Sequence, residues 1–431
     1  MKIDFNCEEL RGQDLTCLAE DMVSPVDPAI TGINKNELIV GSTGCGKSMS
    51  VGYPRLAHTY NSSMVVPISK KEIMDKYVKV FKKRGYKVDI IDFVEPEKST
   101  CSYDPFMYMK DEEDALQLAK IIVEGNKKYG GPKGSDPFWE NSGVSVIAAL
   151  FMLLKENENY GGKKATLMDA GEIFRSLELR KNGMGTSTNI DSWFEALEEK
   201  KPGSQAFSLW RTLTSSPEKT SSCIYVTITS VFAKYSTNAI RGIVSDKKKI
   251  DFKSMGDKKS ILFIRTSPME TALNDFINIM YADMFRELYE YAQSSKTGSL
   301  NVPVHIICDD FACGTRIEDF DNYISIFRAA GISVSLLLQS ESQLFDMYGE
   351  GAGKTIINNC DTYIYMGGMD YDTCYSISRK IDKPLEKIIG LEKENIIVFR
   401  RGEAPVFARR YQTLEDPEYI KVMEMEVNGN E

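Results

Sequence analysis

Leu38-Ile-Val-Gly-Ser-Thr-Gly-Cys-Gly-Lys-Ser48 runs from an apolar strand directly into a complete Gly-x4-Gly-Lys-Ser/Thr loop, Gly41 to Ser48. Each part has a physical task. The glycines Gly41, Gly44 and Gly46 let the loop curl so that successive backbone N–H groups point inward at an anion. Lys47 is placed to reach the β- and γ-phosphates of a nucleotide, and the Ser48 hydroxyl to ligate Mg²⁺. Ser42, Thr43, Cys45 and Met49 complete the cradle. A helix starting near Lys47 aims its positive end at the same phosphates. Gly52 and Pro54 then predict a helix that is short or bent early. ATP and Mg²⁺ are the expected ligands.

The 431 residues leave room for two domains. Charged residues make up 27% and hydrophobic ones 42%, as in an ordinary globular chain. A net charge of −9 argues against a surface coated for nucleic acid, although a local basic groove remains compatible with it. Nine cysteines without a Cys-x-x-Cys pair, and only two histidines, make a zinc site a poor expectation and free thiols in a reducing cytoplasm a good one. His305 sits in an apolar run and reads as a core residue. Lys2, Asp4, Glu8 and Glu9 interrupt any apolar leader. The longest apolar run, Val144 to Leu154, is shorter than the ~20 residues a membrane span needs and reads as a buried helix.

Residues 1–36 read as a lead-in segment. Strands are expected at Ser63–Ile68 and Lys87–Phe93, with a helix at Lys71–Arg84 between them. This βαβ rhythm implies a parallel sheet. From 111 to 240 the periodicity is helical throughout and no strand is expected. Strand patterns return at Ser260–Arg265, Val304–Asp310, Ile332–Gln339, Thr362–Met366 and Ile396–Arg400. The organisation predicted is an α/β phosphate-loop motor in 37–110 and 241–431, with a mainly parallel sheet and an inserted all-α domain, 111–240.

Val304–Asp310 ends in two carboxylates. A phosphate-loop hydrolase needs one Asp at a strand tip for Mg²⁺, shared with Ser48, and a second carboxylate for the attacking water. Asp309 is assigned to the metal and Asp310 to the water, with a helix cap as the alternative for Asp310. Gln339, at the tip of the next strand, reads either as a γ-phosphate contact or as an ordinary polar strand end. Gly349-Glu-Gly-Ala-Gly-Lys-Thr355 imitates a second loop. Its spacing would require Gly at the position of Tyr348, and no strand precedes it, so it reads as a helix-linking turn.

With these residues placed, the chain resembles the coupling-protein ATPases of conjugation and type IV secretion, the TraG/TraD family. The matching blocks are Asn34-Lys-Asn36, the phosphate loop, Tyr103-Asp-Pro-Phe106, Asp136-Pro-Phe-Trp139 and Asp309-Asp-Phe-Ala312. They continue with Phe327-Arg-Ala-Ala-Gly-Ile-Ser333, Gln339 with Gln343-Leu344, and Asn358-Asn-Cys-Asp361 with Met366-Gly-Gly368. The resemblance implies a RecA-like motor with an all-α insertion, and a homo-hexameric ring when assembled, with the isolated chain open to a monomeric state. It also implies ATP hydrolysis that escorts DNA, expected single-stranded, with its attached relaxase or another secretion substrate to a type IV secretion channel. Arg328 is the matching position for an arginine that completes the neighbour's ATP site; its alternative is a surface helix residue.

Three departures stand out. Such proteins usually start with transmembrane helices, and none is read here. The expected location is therefore cytoplasmic, at the inner face of the membrane through partners or through a segment absent from this sequence. The usual Asp-Glu-Phe-Ala is Asp-Asp-Phe-Ala, and an Asp-Pro-Lys-Gly-Glu motif reads Ile68-Ser-Lys-Lys-Glu72. Two other readings stay open: a nucleotide-gated docking adaptor with little turnover, and a DNA translocase of the FtsK/HerA kind.

Overall fold

The computed structural model describes residues 10, 12–124, 137–156, 164–183, 185–245, 247–267, 273–309, 311, 316–317 and 319–425. Its strands are β1 (Leu15–Ala19), β2 (Met22–Pro25), β3 (Glu37–Val40), β4 (Ser63–Ile68), β5 (Lys87–Asp92), β6 (Leu179–Asn182) and β7 (Gly185–Thr188). They continue with β8 (Ser260–Arg265), β9 (Val304–Cys308), β10 (Ile332–Leu338), β11 (Thr362–Tyr365), β12 (Asn395–Arg400) and β13 (Val406–Arg409).

Nine strands form the central sheet, in the order β13-β12-β11-β3-β10-β9-β4-β8-β5. From β11 to β5 every neighbouring pair is parallel, while β12 and β13 close the other edge antiparallel. The central parallel strands β11, β3, β10 and β9 are buried on both faces, which is why Leu38-Ile-Val40 and Leu336-Leu-Leu338 are so apolar. One face packs Ile39, Leu337 and Ile364 against Val51 and Leu56, behind the phosphate loop. The other face presents Leu38, Val40 and Leu336 to an apolar core that continues without a break into the helices of the 112–243 stretch.

The helix Pro137–Glu156 is the axis of that helical block. Its residues 146–154 are all buried, as expected of a helix with apolar residues all round. By length and composition Phe138–Glu156 would also cross a membrane; 61% of its apolar window is buried within the chain. Thr166 and Asp169 start the next helix, Leu167–Arg175, with a reciprocal capping box.

The expectation of an all-helical stretch is corrected by β6 and β7, which pair antiparallel as a hairpin inside it. Their sequences, Leu-Arg-Lys-Asn and Gly-Thr-Ser-Thr, are short and polar, so they carry no alternation of apolar residues to read. The lead-in also carries more structure than its composition suggested. β1 is wholly buried and pairs with β2.

Candidate phosphate-loop site

The loop leaves the C-terminal end of β3, where Gly41 N–H donates to Leu338 O on β10 (3.1 Å) and Ser42 N–H to Gly367 O beyond β11 (3.0 Å). It is therefore pinned between the two strands that flank its own. A Cβ at Gly41 would lie 2.7 Å from Cys45 Sγ and 2.9 Å from Met366 Cβ, so no larger residue fits there. Gly44 and Gly46 take φ of +77° and +90°, the left-handed turn that curls the amides inward. Lys47 is buried, and its ammonium donates to Gly41 O (2.7 Å) and Ser42 O (3.4 Å). The expected short helix is present in two pieces. Ser48–Gly52 forms a π-helical turn, and Tyr53–Ala57 follows with Pro54 in its first turn.

Ser48 Oγ donates to Asp309 Oδ2 at 3.1 Å. Residues 261 positions apart are thus joined because β9 lies one strand beyond β10, and its tip comes level with the loop. A hydroxyl and a carboxylate, both hard oxygen donors, suit Mg²⁺. Gln339 sits half-buried at the tip of β10, between the loop and Asp309, with its N–H on Gln343 Oε1 (3.2 Å). Asp310 lies outside the described residues. Phe311 beyond it is buried against Phe320 and Tyr348, with ring centroids 4.6 and 5.6 Å away, and so anchors the strand tip.

Arg328 is not brought to this chain's own loop. It is exposed in the last turn of the helix Phe320–Ala330, at the N-terminal end of β10. The strand between them puts it roughly 20 Å from the loop edge. His305 is a core residue, held at 2.8 Å by both Ser333 Oγ and Ser335 Oγ. Burial, helped by the Arg55 and Lys35 charges, holds its pKa well below the usual value. The imitation loop is helical from Glu350 onward, Gly349 linking two helices.

Sequence reading missed the C-terminal brace of the loop. Arg410 Nη1 donates to Cys45 O (3.1 Å), and Thr413 Oγ1 donates to Met49 O (2.6 Å). Behind it, the ligand atoms of Cys17, His58 and Asp416 lie within 4.8 Å of one another, all buried. These residue types could hold a metal ion. The 2.8 Å His58–Asp416 contact and the 2.6 Å bond from Tyr411 make it a closed hydrogen-bonded cluster. A single arginine or threonine late in a chain gives no local pattern from which such a contact could be read.

Residues 26–384 match the family model of type IV secretory system conjugative DNA transfer. The chain belongs to that family. No curated protein sequence matches it. Among solved structures, the bacterial conjugative coupling protein TrwBdeltaN70 in complex with sulphate is similar at 16% identity and a TM-score of 0.62, covering 87% of this chain and 85% of that one. TrwB in complex with the non-hydrolysable ATP analogue ADPNP is similar at 16% identity and 0.61, covering 89% and 87%. VirB4 of Thermoanaerobacter pseudethanolicus is similar at 11% identity and 0.54, covering 95% and 98%. At such identities the likeness speaks to the fold, a RecA-like α/β phosphate-loop core. The fold and the family expected from the sequence are thereby met.

Proposed function

We propose that this conjugative-transfer family member is an ATP-hydrolysing coupling protein that drives DNA, with its relaxase, toward a type IV secretion channel. The observation that carries the reading is the Ser48–Asp309 hydrogen bond beside a complete phosphate loop. TrwB in complex with ADPNP, and with ADP and Mg²⁺, supports ATP and Mg²⁺ as the ligands. In this reading residues 37–110 and 241–431 are the motor, 111–240 the inserted unit that meets cargo, and 1–36 the lead-in. The assembled form is a homo-hexamer at the inner face of the membrane.

Ser48 and Asp309 would hold Mg²⁺, which would supply positive charge to offset that of the phosphates. Lys47 exchanges its loop carbonyls for the phosphate oxygens. Asp310 orients a water whose oxygen bonds to the γ-phosphorus as ADP leaves, and Gln339 holds the same water or the γ-phosphate. Arg328 serves a neighbouring copy.

The second reading, a docking adaptor with little turnover, draws on Asp310 in place of the longer Glu and on the net charge of −9. The family match over residues 26–384 speaks against a translocase of the FtsK/HerA kind. ATPase rate, measured with and without single-stranded DNA at several protein concentrations, separates the two. A motor gives turnover that rises with DNA and with concentration. Tight ATP binding with negligible turnover under all conditions would replace the motor by the adaptor.

A further inference from the structure

The phosphate loop accounts for one half of a nucleotide, its phosphates. We propose that Met369 and the Tyr371–Tyr375 pair form a stacking platform for the purine ring, an inference that rests on the nucleotide-site reading above.

Ser48 and Asp309 are the pair that would hold Mg²⁺, and they mark the end of the site at which the terminal phosphate would sit. Asp309 lies on the β10–β9 side of β3. The terminal phosphate therefore points toward β10 and β9, and the α-phosphate, ribose and base leave on the opposite side, over β11. The segment that β11 delivers there is Gly367-Gly-Met-Asp-Tyr371. Its start touches the loop. Gly367 O accepts from Ser42 N–H at 3.0 Å, and a Cβ on Gly368 would stand 3.8 Å from Ser42 N.

Met369 is 79% exposed, Tyr371 62% and Tyr375 51%, and the two tyrosine rings lie 6° from parallel with centroids 6.3 Å apart. Met369 and Tyr371 are among the most exposed large side chains of the described residues, and the tyrosine pair leaves ring face open to solvent. The platform is held in place from below. Asp370 accepts from Ser342 Oγ (2.7 Å), Thr373 Oγ1 (2.6 Å) and Thr373 N–H (2.9 Å), which fixes the first turn of the helix Tyr371–Ile381. Aromatic faces presented in advance stack a base with little ordering cost.

The test compares two probes on the full chain by calorimetry: ADPNP, which has a base, and inorganic tripolyphosphate, which has none. Tyr371→Ala should weaken ADPNP about tenfold and leave tripolyphosphate unchanged. Tyr371→Phe should keep wild-type affinity for both, because the ring face and not the hydroxyl is used. Unchanged ADPNP affinity in Tyr371→Ala and in the Met369→Ala/Tyr371→Ala double variant would overturn the platform. Equal weakening of both probes would also overturn it, by showing that the residue only supports the loop. A folded wild-type chain that binds neither probe would overturn the nucleotide site itself, and the platform with it.

Discussion

The two edges of the central sheet are built from the same strands and do opposite work. At the C-terminal edge Ser42, Lys47, Ser48, Asp309 and Gln339 converge, and Ser42 and Asp309 are exposed. At the N-terminal edge the polar groups are closed on one another. Asn34 N–H donates to Asp361 Oδ2 (2.7 Å), Asn34 and Asn36 amides donate to Asn359 O (3.0 and 3.1 Å), and Ser335 Oγ donates to Glu37 Oε2 (2.6 Å). Arg55 lies 3.8 Å from the same Glu37 carboxylate, and both are buried. These bonds tie the starts of β3, β10 and β11 together, so this edge is a staple and not a site, with Arg55 Nη1 facing Glu37 as an ion pair and without a hydrogen bond. Asn34-Lys-Asn36 and Asn358-Asn-Cys-Asp361, two of the blocks on which the resemblance in the sequence rests, are therefore halves of one structural clasp.

The contrast breaks most sharply at Arg328, a polar group at the N-terminal edge that is exposed. If it serves a neighbour's loop, Arg328→Ala should lower the ATPase rate by about 10³–10⁵. Mixing Lys47→Ala protein with Arg328→Ala protein should then recover activity, because some sites pair a sound loop with a sound arginine. No recovery in mixed oligomers confirmed by native mass spectrometry would leave Arg328 a surface residue.

Asp310 tests the open edge. A group that orients water acts in the transition state, so Asp310→Asn should lower kcat by about 10² while ATP affinity holds. Equal kcat would make Asp310 a helix cap.

Much of the open edge was legible because it is local. Gly41 to Ser48 is contiguous, and the carboxylate of Asp309 ends an apolar strand. The fold followed from strand and helix periods. What stayed hidden depends on distant parts of the chain. Arg410 and Thr413 meet the loop more than 360 positions away. The short polar hairpin of β6 and β7 buries too little to imprint a pattern. The clasp was visible as two motifs, yet neither block says that it closes on the other.

The closed edge should respond in stability and not in binding. Asp361→Ala removes a buried acceptor and should cost about 2 kcal/mol in denaturant unfolding, with ADPNP affinity unchanged. A loss of affinity without a loss of stability would move this clasp into the site. The smallest effect belongs to His305. Its pKa is held well below the ordinary value near 6.5. The unfolded chain therefore takes up a proton that the folded chain refuses, and stability falls as pH drops below that value. Asp283 and Asp104, raised by burial to about 7 and about 6, titrate in the same window with the opposite sign, so the test is the difference: between pH 6.5 and 5 the wild-type slope should exceed that of His305→Gln by up to about 1.4 kcal/mol per pH unit. A variant that keeps the wild-type slope would assign the proton to another group.

The central claim is that the open edge is a Mg²⁺-nucleotide site governed by Lys47. The most direct measurement is calorimetric titration of the full chain with ADPNP, with Mg²⁺ and with EDTA, beside Lys47→Ala protein of matching circular dichroism. Binding in the wild type should depend on magnesium and should be lost, by at least about 10²-fold, in the variant. A folded Lys47→Ala protein that binds ADPNP as the wild type does would contradict that claim.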